Sequence, residues 1–224
     1  MTFVAVFAAP TWGIAAVDEG GYSMDFSPPT PTAERVSGSV NKLVPFGECA
    51  WLARSGPAEI ATIVAAAAPD LGDSGELAGA MALARPAVER FWRDLPAADR
   101  RYFEAEPAHA FLLAVGVSRE NGRGWMAELN WRSGAVRERT GEVAIAAPPG
   151  IDPGDLTPTL RSLERHLGAC DSPSAAASLL GRYYNYCRGR WPDAAMGGAL
   201  HFGTIEPGRR GRLESWPDTT TEGS

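Results

Sequence analysis

Lysine is nearly absent from this sequence: Lys42 stands alone against twenty arginines in 224 residues. Cysteine is scarce too. Cys49, Cys170 and Cys187 make an odd count with no CxxC pair, and a chain of this length does not need disulfides to hold a core, so reduced thiols and a cytoplasmic setting are expected. Only three histidines occur, His109, His166 and His201, far apart and without HExxH-like spacing, which argues against a metal site and leaves no cofactor implied. No basic run stands out beyond Arg209, Arg210 and Arg212 in a Gly- and Thr-rich tail, and the net charge is −6, so a nucleic-acid partner is not expected. The apolar start MTFVAVFAAPTWGIAAV carries no cation before Arg35, holds a Pro and a Trp-Gly turn, and meets Asp18 too soon to span a bilayer. It reads as two buried strands, with neither leader nor membrane partner expected.

What the sequence does have is ordinary globular composition, 45% hydrophobic and 21% charged, enough for one sizeable core. Residues 2–7 and 13–17 read as a buried hairpin, and the Pro/Ser/Thr-rich stretch 25–39 as a loop. A second strand pair is expected at 40–46 and 49–54. Helical periodicity then begins at Pro57 and recurs through Leu77, Met81, Ala84, Val88, Phe91 and Leu95, with Pro86 predicting a kink. Strands are predicted at 109–117, 124–131 and 135–146, around hairpin turns containing RENGR and RSG. Two more helices follow, one carrying Leu156, Leu160, Leu163 and Leu167, the other spanning 173–188. Strands are then expected at 197–205 and near 211–215, with a disordered tail at 217–224. The order is strands, two helices, strands, two helices, strands. It disfavours βαβ alternation and suits an α+β fold: two mainly antiparallel sheets packed face to face, each covered by a helix pair, in one domain over 2–216.

Four segments carry a resemblance. Thr2-Phe3-Val4-Ala5-Val6 opens a strand with a threonine. Gly13-Ile14-Ala15-Ala16-Val17-Asp18 is a strand ending in an acidic residue, sixteen positions after Thr2. Ser39-Val40-Asn41-Lys42-Leu43 is a strand bearing the one lysine. Ala53-Arg54-Ser55-Gly56-Pro57-Ala58-Glu59 is a strand-to-helix turn. Fainter is Trp191-Pro192-Asp193 ahead of Gly197-Gly198. Together, in this order, they resemble the proteasome β-subunit family of N-terminal-nucleophile (Ntn) hydrolases, including its bacterial HslV branch. The resemblance implies the four-layer αββα Ntn-hydrolase sandwich. It implies a threonine-type hydrolase of peptide or other amide bonds, with Thr2 as nucleophile after removal of Met1, and Asp18 and Lys42 as its catalytic partners. Ser55 and Gly56 would shape the oxyanion hole, and Asp193 would support the site. A homo-oligomeric ring and an ATPase partner are implied in the same way. The sequence departs from the family pattern at Ala146-Ala147-Pro148-Pro149-Gly150, where the family has Ser-Gly-Ser, at Met196, where it has serine, and in the long spacing from Asp18 to Lys42.

The chemistry explains why these residue types belong together. A threonine hydroxyl is a weak nucleophile until a base takes its proton, and an N-terminal residue carries such a base in its own α-amine. That amine titrates near ~8, and a neighbouring ammonium lowers the value by like-charge repulsion. Lys42 supplies the charge and Asp18 would hold it in place. A compact ammonium suits a crowded strand floor better than a guanidinium fork, a reason for one lysine to persist where arginine is otherwise used. Singly, each residue has an ordinary reading: Thr2 as a strand residue, Asp18 as a strand terminator, Lys42 as an edge-strand cation. Two other functions remain beside the peptidase: a stand-alone amidase acting on a small amide, its pocket shaped by 25–39, and a non-catalytic assembly subunit. The acidic Glu19 is either solvent-exposed or part of a specificity pocket.

Overall fold

A computed structural model describes residues 3–25, 32–36, 42–54, 56–105, 110–139, 143–146, 151, 153–192, 194, 196–209 and 211–216. The chain starts with an antiparallel pair, β1 (Val4–Ala8) and β2 (Gly13–Asp18), as the two apolar runs predict. Next come β3 (Gly21–Asp25) and β4 (Thr32–Val36), paired with each other in a two-stranded sheet. Here the structure corrects the expectation of a loop over 25–39. Asp25 ends one strand and Thr32–Val36 forms another, because ladder pairing overrides the weak strand propensity of a Pro- and Ser-bearing stretch. The strands β5 (Leu43–Phe46) and β6 (Ala50–Arg54) turn at Gly47, whose φ of 63° favours glycine.

The helix α1 (Ala58–Ala66) follows, then α2 (Leu77–Asp94), which runs through Pro86, and α3 (Ala97–Ala105). The third helix was not expected. It buries no residue fully, so it lacks the apolar stripe that announces a core helix. The strands β7 (Phe111–Val117), β8 (Gly124–Asn130) and β9 (Val136–Arg139) form a meander. The single strand expected over 135–146 is in fact two. β9 pairs with β8, whereas β10 (Ala144–Ala146) joins β1 in the other sheet. After α4 (Pro153–Gly168), Ser172 caps α5 (Pro173–Arg190) by accepting the Ala175 amide, and β11 (Leu200–Ile205) and β12 (Arg212–Trp216) close the described chain.

Two five-stranded antiparallel sheets result, ordered β10-β1-β2-β11-β12 and β5-β6-β7-β8-β9. Successive side chains on a strand point to opposite faces, and β1 and β2 are apolar on both, so each serves two cores. Val4, Val6, Ala15 and Val17 pack with Trp51, Leu113, Val115 and Met126 of the other sheet. Phe3, Ala5, Phe7, Ile14 and Ala16 pack instead with Leu163 and Leu167 of α4 and Leu180 and Tyr184 of α5. The second sheet turns Leu52, Leu112 and Leu129 toward Ile60, Val64, Met81 and Val88 of α1 and α2. Burying a side chain such as Ile14 or Leu112 contributes roughly 1.5–3 kcal/mol. The sheets approach closely at Gly203, where a Cβ would lie 2.7 Å from the Trp51 ring. The fold is thus α+β, with two antiparallel sheets and helices packed on them. Asp18 ends β2 and Lys42 immediately precedes β5, on different sheets.

Candidate active site

The end of β2 is held on one side by β1 and on the other by β11, with Asp18 in register with Leu200. Asp18 is wholly buried and Lys42 nearly so, at 0% and 4% exposure. The Lys42 ammonium donates to Asp18 Oδ1 at 2.7 Å, and also to the Gly20 carbonyl. The same Oδ1 accepts the Phe3 amide at 3.0 Å, while Oδ2 accepts the Gly197 amide at 3.0 Å. The Asp18 amide returns a bond to the Phe3 carbonyl at 3.1 Å. One carboxylate therefore ties together the start of β1, the residue before β5 and the approach to β11.

Burying two charges costs several kcal/mol per ion unless geometry and further hydrogen bonds repay it, and here both charges have such bonds. Burial pushes the Lys42 ammonium below its ordinary value, while Asp18, by charge and hydrogen bond, pulls it back up. The nearby Arg54 is buried as well, and desolvation lowers it to about 10 against the raising effect of Glu59. The Arg54 amide donates to the Lys42 carbonyl at 3.2 Å, and its guanidinium donates to the Gly56 carbonyl at 2.9 Å. This fixes the turn at Gly56 beside the lysine strand, immediately before α1.

Of the residues singled out from the sequence, the structure brings Asp18 and Lys42 into direct contact and holds Gly56 in the adjoining strand-to-helix turn. Thr2, Ser55 and Asp193 lie outside the described residues, as do 217–224. Phe3, which follows Thr2 in the chain, is described, and its amide is one of the donors to Asp18. Sequence reasoning missed the Gly20 carbonyl as an acceptor for Lys42 and the Gly197 amide as a donor to Asp18. Both are main-chain groups, for which side-chain identity gives no signal. It also missed the bond network of Glu19, whose carboxylate accepts the Ala199 amide at 3.2 Å and lies 3.1 Å from His201 Nε2.

Elsewhere, a cavity of about 280 Å³ is lined by Cys49, Ser118, Arg119, Glu206 and Arg209, with Arg119–Glu48 and Arg209–Glu206 ion pairs among its walls. It lies at the β5–β6, β7–β8 and β11–β12 turns, at the opposite strand ends from Asp18. Among the described residues no group of His, Cys, Asp and Glu is placed to hold a metal, and no helix is long and apolar enough to cross a membrane. Compared with protein-family models and with curated proteins, the sequence matches none.

Proposed function

We propose that this chain is a threonine-nucleophile amide or peptide hydrolase of the proteasome β-subunit type, built as a four-layer αββα sandwich. The observation that carries the reading is the buried Lys42–Asp18 contact of 2.7 Å, on a carboxylate oxygen that also binds the amide of Phe3, one peptide bond beyond Thr2. The two sheets sharing a core, each with helices on its far side, support the architecture.

Removal of Met1 would leave Thr2 with a free α-amine. That amine takes the proton from the Thr2 hydroxyl as its Oγ forms a bond to the substrate carbonyl carbon. The Lys42 charge favours the neutral amine beforehand and the developing alkoxide during attack. Amide donors of the Ser55–Gly56 turn, at the positive end of α1, would receive the oxyanion. As the C–N bond breaks, the α-ammonium returns its proton to the leaving amine. Water, deprotonated by the same amine, then hydrolyses the acyl ester and restores Thr2. The substrate is thus a peptide or small amide. A homo-oligomeric ring and an ATPase partner belong to the proposal by resemblance alone, a cytoplasmic setting by the few, unpaired cysteines, and light scattering on the purified protein tests the first.

The deciding experiment combines intact mass with a threonine-directed electrophile, a β-lactone or a peptide epoxyketone, followed by peptide mapping. Expected are a mass lacking methionine and one adduct at Thr2 that disappears in Lys42→Ala. A retained methionine, or an adduct only elsewhere, refutes the assignment.

A further inference from the structure

The residues after Asp18 and before β11 run side by side as a short main-chain clamp. The Glu19 amide donates to the Ala199 carbonyl at 2.9 Å, and the Gly20 amide to the Gly197 carbonyl at 2.8 Å. Both ends of the clamp reach the buried ion pair: the Gly197 amide donates to Asp18 Oδ2, and the Gly20 carbonyl accepts the Lys42 ammonium. The Glu19 side chain closes the clamp from its own strand, with Oε2 on the Ala199 amide at 3.2 Å and Oε1 3.1 Å from His201 Nε2. Packing there is tight. Gly198 has φ of 75°, and a Cβ on it would lie 2.6 Å from the Glu19 Cβ, so the crossing admits only glycine.

We propose that Glu19 is a positioning residue for the Asp18–Lys42 pair, stapling the β2 end to the Gly197–His201 segment so that the Gly197 amide and the Gly20 carbonyl stay on the two buried charges. Among the described residues the Glu19 carboxylate bonds go to Ala199 and His201, so its effect on the pair runs through the main chain of its neighbours. Its catalytic consequence rests on the hydrolase reading above, whereas the placement of the pair does not. Without the staple, the clamp is left with its main-chain bonds at a strand end where Glu19, Gly198 and Ala199 are only partly covered, water can enter there, and the lysine becomes hydrated.

The single lysine makes this directly observable. Protein grown with isotope-labelled lysine gives one Cε resonance from the folded core, that of Lys42, whose titration midpoint needs no assignment. Burial is the largest cause of its lowered proton affinity, so hydration moves the midpoint up toward the ordinary lysine value. Glu19→Ala removes the staple. Glu19→Gln removes the charge but keeps a carbonyl acceptor for the Ala199 amide, which separates the lost charge from the lost bond. Expected is an upward shift in Glu19→Ala relative to Glu19→Gln, with thermal melts showing both variants folded. Labelling of Thr2 by the β-lactone should slow about tenfold to a hundredfold in Glu19→Ala, the range for a small misplacement of reacting groups, and recover most of its rate in Glu19→Gln. A midpoint in Glu19→Ala at or below that of Glu19→Gln overturns the positioning role. If Thr2 is not labelled even in the unaltered protein, the hydrolase reading fails, and the lysine resonance still decides the staple.

Discussion

Replacing Asp18 by asparagine keeps its shape and removes its charge, and the structure sets the size of the effect. Asp18 is wholly buried and accepts bonds from the Lys42 ammonium, the Phe3 amide and the Gly197 amide. In Asp18→Asn the nearly buried ammonium keeps only neutral acceptors among the described residues, the Gly20 carbonyl and the side-chain amide oxygen, while the amide nitrogen can no longer accept the Gly197 amide. Breaking a buried pair from one side costs about 3–5 kcal/mol. For a chain of this length that lowers Tm by roughly 6–20 °C. The pH dependence carries a sign. Burial places the native Lys42 value below the ordinary 10.5. Between the native value and 10.5 the unfolded chain holds the extra proton, so stability rises with pH through that window, and the full penalty applies below it. Loss of Asp18 removes the two effects that pull the native value up, which widens the window. Urea unfolding followed by tryptophan fluorescence from pH 7 to 10 should therefore show a steeper rise for the variant than for the unaltered protein. Parallel slopes with a loss under about 1 kcal/mol, the range of an exposed pair, would show that the two charges are not held dry together.

Two further outcomes follow from the core. Gly203→Ala drives a methyl group into the Trp51 ring, 2.7 Å away, and should cost about 1–3 kcal/mol in urea unfolding; an unchanged midpoint would mean that the sheets are not in this close contact. Cys49 and Cys187 are buried with thiols that burial pushes up, Cys187 to about 11, while Cys170, also raised, is partly exposed. An aromatic disulfide reagent at pH 7.5 should thus find Cys170 first and slowly, and all three thiols rapidly only after unfolding. Fast reaction of two thiols in the native protein would contradict the burial.

Much of this was written in local sequence. The runs at 4–8 and 13–18 are apolar on both faces, and a strand with that pattern has to be covered twice, which is why they sit between a sheet and a helix pair. The lone lysine in an arginine-rich chain marked one position, and the structure gives that position a buried carboxylate partner at 2.7 Å. Within 25–39 the strand Thr32–Val36 was misread as loop because the surrounding Pro, Ser and Thr residues speak for one, whereas its ladder is with Gly21–Asp25; 26–31 and 37–39 lie outside the described residues. The segment 135–146 was misread as continuous because nothing local says that Ala144–Ala146 leaves one sheet to pair with β1 of the other.

Sequence alone therefore determined most of the element types, the two-sided burial of the first strands and the identities of the charged residues, since propensity, periodicity and side-chain chemistry are local properties. Tertiary structure decided what those residues meet. The Gly197 amide reaches Asp18 across 179 positions and the Ala199 amide reaches Glu19 across 180. Main-chain donors and acceptors are alike at almost every position, so only the packing of β2 against β11 selects which of them hold the buried pair.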